Sequence, residues 1–480
     1  MGRIAKEATL VAIVIMVIAV AGRCQITTGV VTGRIVDATV AAIPQVQLTL
    51  VNVGTGIKQT SVTSDQGNYT FTQVPPGIYK LTALAKGFGT VIQEGINVQV
   101  NEATPVNFTL KPATVKEKVE VLSSTPAMQT ESAAVGGVVD HNTIISLPLN
   151  GRNFIQLVAL EPGVSSSAKL QGGGVDYTTQ VFGGNYSVNG TPASGSSYML
   201  DGIEIRDVVD TRVTFQPTLE FIQEFNFQAT NYSAAFGRAG GGIVNLVSHT
   251  GTDKFHGSLW EYFRNSALDA SNFFATKKPG FHQNQFGAAL GGPIVRGKTF
   301  FYVSYEGFRQ SKGITQGASV PTVAERDGDF SGGSPIYNPN QIDPITGLRV
   351  PFPNNQIPVS DFSTVAVNAL SLFPLPNLPG TVNNLISAVT QTIDFDQVNA
   401  RIDQEIGKDD SLAGRYTNLV RWNRNLPFTF SSLPNFSTIW DSPAQNAFIS
   451  WTHAFGTTAV MKPNSDSTET NKFFRILTKA

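Results

Sequence analysis

Residues 236–274 read FGRAGGGIVNLVSHTGTDKFHGSLWEYFRNSALDASNFF, and a change of character inside this stretch decides the fold class. Three consecutive glycines, Gly240 to Gly242, lead into the apolar run Ile243-Val244-Asn245-Leu246-Val247. Past Thr250-Gly251-Thr252 the chain turns aromatic, with Phe255, Trp260, Tyr262, Phe263, Phe273 and Phe274. Glycine collects where backbone must bend or approach closely, and aromatic residues collect where a pleated surface is half covered. A compact unit therefore ends near residue 250 and a strand-rich unit begins near 252.

Upstream, LPLNGRNFIQLVALEPGV spans residues 147–164. Phe154, Leu157, Val158 and Glu161 recur at helical spacing, which predicts a short amphipathic helix ending before Pro162-Gly163. Ser187-Val188-Asn189-Gly190 follows, and then Tyr198-Met199-Leu200-Asp201-Gly202-Ile203-Glu204, where Asp201-Gly202 between apolar residues predicts a tight hairpin. These strings contain Asn150, Gly151, Arg152, Asn153, Pro162, Gly163, Asn189, Gly190, Asp201 and Gly202. They resemble the plug of TonB-dependent outer-membrane receptors of the Oar-like type. Gly241, Gly242, Asn245, His256, Gly257, Arg264 and Asn265 resemble the junction where such a plug passes into its barrel.

The resemblance implies an α+β plug over residues 114–250 and an antiparallel transmembrane β-barrel from residue 252. It also implies outer-membrane lipid around the barrel and a TonB-type periplasmic energy-coupling protein as partner. On this reading the signature residues belong to the gate that moves during uptake, or else to the folding of the plug. Val115, Val119 and Val121 alternate with polar residues at the start of the plug region, as a strand that pairs with the partner would, or as the plug's first strand would.

Before the plug, short alternating runs begin at Gly29, Val46 and Gly67, and Pro75-Pro76-Gly77 turns the chain into Ile78-Tyr79-Lys80-Leu81. This spacing predicts a small antiparallel sandwich over residues 28–112. GVVTGRIVD and SDQGNYTFTQVPPGIYKLTALAKGF resemble the carboxypeptidase regulatory-like domain, a transthyretin-like fold grouped with carbohydrate-binding-like modules. A zinc carboxypeptidase needs a His and a Glu three residues apart, with a distant second His. None of His141, His249, His256, His282 and His453 has a Glu at that spacing. The module is thus accessory, with Tyr69, Tyr79 and Phe88 as packing residues or as a sugar platform.

After residue 252 the pattern repeats with period two. Gln283, Gln285 and Gly287 alternate with Asn284, Phe286 and Ala288, while Tyr302, Ser304 and Glu306 alternate with Phe301, Val303 and Tyr305. Gln397, Asn399, Arg401 and Asp403 alternate with Val398, Ala400 and Ile402, and Arg415 and Thr417 lie opposite Tyr416. Apolar outside and polar inside is the signature of barrel strands. Gly292 to Thr299 matches the phosphate-loop pattern, but a strand rather than a helix follows it and Pro293 removes an amide donor, so a hairpin turn is expected. Asp327 and Asp329, in the long loop of residues 315–392, fall short of the six to eight oxygens that calcium takes.

Composition excludes other classes. Only 14% of the 480 residues are charged and the net charge is -1, which offers no basic surface to nucleic acid. The 45 Gly, 26 Pro and 31 Phe suit strands and turns. Arg3 and Lys6 precede the apolar run Ala8 to Ala21, giving an expected signal peptide over residues 1–24, in which Arg23 argues against lipidation of Cys24. A single cysteine allows no internal disulfide. No catalytic, cofactor or metal residues are assigned, and the chain is expected not to be an enzyme.

Strands are expected near 254–264, 283–291, 299–309, 396–404, 411–421 and 445–455, with a divergent tail over 458–480 after a barrel portion ending near 457. A barrel that encloses a plug has about 22 strands. The expectation is therefore a partial barrel, from a truncated or frameshifted receptor for an unknown ligand, carbohydrate or peptide. The competing expectation is a secreted or surface carbohydrate-binding or adhesion protein without transport activity.

Overall fold

The computed structural model describes residues 28–112, 118–122, 133–166, 186–206, 213–233, 236–237, 239–271, 278–407, 410–426, 436–441, 443–455, 459–461, 464–470 and 473–478. The expected signal peptide and Val115 lie outside them. The described residues are mainly β.

The first unit is a sandwich of two sheets. Strands β1 (Gly29–Asp37), β4 (Asn68–Val74), β7 (Ala103–Pro105) and β8 (Phe108–Leu110) form one. Strands β2 (Gln47–Asn52), β3 (Lys58–Val62), β5 (Gly77–Leu84), β6 (Thr90–Val98) and β9 (Lys118–Leu122) form the other, in the order β3-β2-β5-β6-β9. Alternate residues of each strand meet in the middle: Tyr69, Phe71 and Val74 from β4 face Leu48, Leu50 and Leu81 in one core. The expected all-antiparallel arrangement is corrected, since β7 and β8 run parallel to β1, and β9 runs parallel to β6. Tyr69 and Tyr79 are each 3% exposed, and their hydroxyls donate to the carbonyls of Val106 and Pro75 at 2.6 and 2.8 Å. They pack the sandwich and present no sugar platform.

The second unit is a mixed sheet in the order β10-β15-β16-β13-β14, built from β10 (Val135–Asp140), β13 (Ser197–Leu200), β14 (Ile203–Glu204), β15 (Ile222–Thr230) and β16 (Ile243–Ser248). A short helix α1 (His141–Ser146) is capped by Asp140, and a two-stranded ribbon joins β11 (Val164–Ser166) to β12 (Tyr186–Val188). Residues 154–160 form the expected short helix ahead of Pro162, with 3₁₀ geometry. Its buried residues, Phe154, Ile155, Leu157 and Val158, make two pairs three residues apart, the spacing that eclipses in a three-residue turn. The 3.6 and 3.0 periods are indistinguishable over so short a run.

The third unit is a ten-stranded antiparallel sheet of long strands, here called the wall. It contains β17 (His256–Asn265), β18 (Phe281–Val295), β19 (Thr299–Ala318), β22 (Leu385–Ile406), β23 (Asp410–Leu426), β24 (Phe436–Asp441), β25 (Ala444–Phe455), β26 (Ala459–Met461), β27 (Asn464–Thr470) and β28 (Phe473–Thr478). Six strands were expected from sequence. The additions include β27 and β28, which lie in the tail and pair with β25 and β24 although the tail lacks an alternating pattern. Among the described residues β17 pairs only with β18, so the sheet is open.

Strand parity follows the sequence. Cross-strand register lines up Ser304, Asn399, Thr417 and Asn446 in one buried polar row. The neighbouring outward row holds Leu290, Val303, Ala400, Tyr416 and Ala447. Leu259 is 86% exposed, and Phe263, Ile402 and Ile449 are exposed on the same outward face. The second unit, here called the plug, packs against the inward face: Phe308, Ile393 and Leu419 of the wall share one core with Phe154, Phe225 and Phe227.

The phosphate-loop look-alike is a hairpin turn between β18 and β19, where Gly297 adopts φ +66° and donates to Asp253 at 2.8 Å. Beyond β19, the loop between β19 and β22 carries two short helices, α2 (Val323–Arg326) and α3 (Thr364–Leu370), and a ribbon of β20 (Tyr337–Ile342) with β21 (Arg349–Pro351). Arg326 ties it together by donating to the carbonyls of Pro321, Leu370, Phe373 and Pro374. Asp329 is used locally, accepting from the amide of Ser331 at 3.0 Å.

Gly163 tests the packing of the plug ribbon. It adopts φ +78°, and a Cβ placed there would lie 2.2 Å from Oδ1 of Asn189. Gly163→Ala is expected to destabilise the plug by about 2 kcal/mol, through backbone strain and that clash, read as a lower denaturation midpoint of the full chain in detergent.

Candidate functional site

The buried charges lie where plug meets wall. Met199 pairs with Glu204 and Leu200 with Ile203, so β13 and β14 are joined by the two-residue turn Asp201-Gly202. Their φ values of +52° and +78° are those of a type I′ turn, which the right-handed twist of paired strands favours. The turn presents the Asp201 carboxylate to the wall.

There Asp201 accepts from the amide and hydroxyl of Ser248 at 2.8 and 2.7 Å, from Arg401 Nη1 at 3.3 Å and from Arg415 Nε at 2.7 Å. Arg401 and Arg415 are directly opposite each other on β22 and β23. Like charges facing across a ladder repel, and a buried guanidinium without a counter-ion costs several kcal/mol. Arg415 and Asp201 have side-chain exposures of 0% and 2%. The plug thus supplies the charge that the wall lacks, while Asp403 binds Arg401 from the same strand at 2.8 Å. Burial raises the Asp201 pKa, but Arg401, Arg415 and the Ser248 bonds outweigh it and hold the carboxyl below its ordinary value.

A second cluster surrounds Arg152. Gly151 and Arg152 both have positive φ, at +65° and +53°, which turns the guanidinium inward. It pairs with Glu220 of the plug and lies 3.5 Å from Glu306 of β19. It also lies over Tyr262 and Trp260 of the wall, 4.6 and 5.5 Å from their ring centres. Gln285 donates to Glu306 at 3.1 Å.

Comparisons with known proteins match two parts of the chain. Residues 247–474 match a family model described as an outer membrane beta barrel domain, and residues 30–111 match the carboxypeptidase regulatory-like domain. The TonB-dependent transporter Oar of Myxococcus xanthus is 29% identical over 266 residues. Over that stretch this chain is a homologue of Oar. The alignment covers 52% of the chain and 24% of Oar, so the chain spans about a quarter of that relative's length. Among solved structures, the outer membrane transporter YddB of Escherichia coli aligns at 10% identity and TM-score 0.46, covering 72% of this chain and 41% of that one. The siderophore receptor PiuA of Acinetobacter baumannii aligns at 11% identity and TM-score 0.37, covering 71% and 46%. The barrel domain locates this homologue at the outer membrane.

The remaining sequence-predicted residues fall into three groups. Asn153 caps the 3₁₀ helix by accepting from the Ile155 amide at 2.9 Å; Asn150 begins the preceding turn, and Pro162 follows the helix. Gly163 is brought onto Asn189, whose amide donates to its carbonyl at 2.8 Å, and Asn189-Gly190 continues as a turn with positive φ. Gly241 and Gly242 precede β16, where Asn245 is fully buried beside Asn226. A Cβ on Gly242 would meet the Phe227 ring at 2.7 Å. His256 and Gly257 open β17; Arg264 and Asn265 close it, pairing with Asp269 at 3.3 Å and His282 at 3.0 Å. Val119 and Val121 lie on β9 at the edge of the sandwich sheet.

Sequence reasoning did not single out Glu220, Glu306, Arg401 or Arg415. The signal was present: three of them are charged residues on the inward parity of barrel strands, where a charge requires a partner from the plug.

The sandwich docks against the plug. Glu224 accepts from the Val100 amide at 2.8 Å, Asn226 donates to the Val100 carbonyl at 3.4 Å and Gln223 donates to the Pro76 carbonyl at 3.0 Å. Burial, reinforced by Glu102 and Asp140, pushes Glu224 up to about 8. A group whose folded pKa exceeds its unfolded value near 4.5 gives up a proton on unfolding, so stability is lost as pH rises from there to about 8. Glu224→Gln keeps an acceptor for Val100 and is expected to flatten that decline, read as melting temperature between pH 5 and 9. Asp201→Asn, which leaves two opposed arginines buried, is expected to weaken plug docking by about 3 kcal/mol, read as faster proteolytic cutting within the plug.

Proposed function

We propose that this chain acts as a component of energy-coupled uptake across the outer membrane, with the central unit as a gate that a TonB-type periplasmic protein displaces. The single observation that carries the reading is Asp201 seated between Arg401 and Arg415. The plug meets the wall through two concentrated ionic contacts, through amide and hydroxyl side chains and through an apolar core at Phe308, Ile393 and Leu419. The ionic and polar parts can be rehydrated when the plug moves. Carbohydrate and peptide are the candidate ligand classes, and selection would rest on the outward loops of the barrel, such as the one between β19 and β22. The sandwich serves as an accessory module on the plug.

The partner strand in this reading is the segment that begins at Val115 and continues into β9. Its support is that β9, among the described residues, pairs only with β6, so its other edge is open to strand addition. Site-specific photo-cross-linking from position 118 to the periplasmic coupling protein tests it. The chain should cross-link in the outer membrane, and replacing Glu120 and Val121 by Pro, which removes backbone donors of both parities, should abolish the product. Cross-linking that survives both prolines would contradict the reading.

A further inference from the structure

Three histidines meet at the point where the plug sheet passes into the wall, and uptake as proposed above gives them no role. The rings of His141 and His249 are 5.0 Å apart and those of His249 and His256 are 5.7 Å apart. His249 also stacks on Tyr302 of β19 at 4.5 Å, with an interplanar angle of 18°. The three rings come from α1, from the end of β16 and from the start of β17, so they bridge plug and wall.

Each ring is fixed in one tautomer. Nδ1 of His141 donates to the Ile222 carbonyl at 2.8 Å, that of His249 to Thr250 at 2.9 Å and that of His256 to Lys254 at 3.0 Å. A carbonyl can only accept, so the proton of each neutral ring sits on Nδ1 and Nε2 is bare. The Nε2 of His256 is buried without a hydrogen-bond partner.

The charged groups around the stack offer no compensation. Asp140, beside His141, is committed to Thr143, and Glu220, whose carbonyl accepts from the Tyr302 hydroxyl, is committed to Arg152. From β22 comes Arg401, a further positive charge, already bound to Asp201 and Asp403. Lys254 adds another in the turn before β17, while Asp253 accepts from Gly297. Among the described residues no carboxylate pairs with any of the three rings.

We propose that this histidine stack is an acid-sensitive latch: it holds the plug-to-barrel passage closed while His249 is neutral and releases it when His249 takes up a proton. The inference rests on the reading of the central unit as a plug within the wall. Burial, with the charges of His141, His256 and Arg401, lowers His249 to about 3. A folded pKa below the unfolded value near 6.5 means that opening takes up a proton, so the closed form is favoured above pH 6.5 and loses ground as pH falls. One such proton raises the open population about 30-fold between pH 7.5 and 5.

Hydrogen exchange of peptides covering residues 243–256, corrected for the intrinsic pH dependence of exchange, measures this in the full chain reconstituted in lipid. Wild type should show the 30-fold rise. His249→Phe, which keeps the stack on Tyr302, should be flat, and His249→Gln serves if the Phe variant does not insert. A flat wild-type profile, or a rise retained in the folded variant, overturns the latch. A wild-type chain that never enters lipid would instead remove the plug-and-barrel reading, and that outcome is visible before any exchange is measured.

Discussion

The two faces of the wall cannot be exchanged, and the rest of the molecule depends on this. Side chains alternate with period two, so a one-residue slip in register would carry Ser304, Glu306, Asn399 and Arg415 into the outward row and Val303, Tyr305 and Ile402 into the inward one. Neither environment would accept them. The inward side demands hydrogen-bond and ion partners, while the outward side, with Leu259, Phe263 and Ile449, has none to give. Register is thereby fixed over strands of up to 22 residues, and with it the positions at which the wall meets the plug.

Charge then decides how the plug sits. Arg401 and Arg415 face each other across the ladder, a pairing that the wall alone would not favour, and Asp201 reaches them from a turn whose two residues both have positive φ. Backbone chemistry in the plug and side-chain chemistry in the wall are thus matched at one point. Arg152 repeats the arrangement with the signs reversed, a plug cation against Glu306 of the wall. Buried ion pairs add little net stability compared with apolar packing, but losing one partner is costly. Such contacts suit a seat that is specific in position and releasable as a whole. The sandwich is attached differently, through isolated hydrogen bonds: the Val100 amide donates to Glu224, whose carboxyl burial pushes up to about 8, while Asn226 and Gln223 donate to the carbonyls of Val100 and Pro76.

Much of this was legible in the sequence where local pattern and tertiary role coincide. The Asp201-Gly202 turn, the parity of residues 283–290, 301–306 and 397–403, and the sandwich alternation all express a period or a turn chemistry that neighbouring residues reveal. The seven-residue helix at Phe154 was legible in place but not in type, since pairs three residues apart fit either an α or a 3₁₀ turn. Strands β27 and β28 escaped because their place is set by β25 and β24 rather than by their own alternation. The ion pairs escaped because Asp201 lies 200 and 214 residues from its arginines, a distance that no local pattern spans. The parallel docking of β9 onto β6 escaped for the same reason.

The central claim is that one face of this sheet lies against lipid and the other against the plug. Fluorophores attached at cysteines introduced at Leu259, Ile402 and Ile449, and separately at Ser304 and Thr417, can be tested for quenching by lipids brominated on the acyl chain. The account predicts strong quenching at the first three positions and little at the last two. Equal quenching in both sets, or none in either, would contradict it.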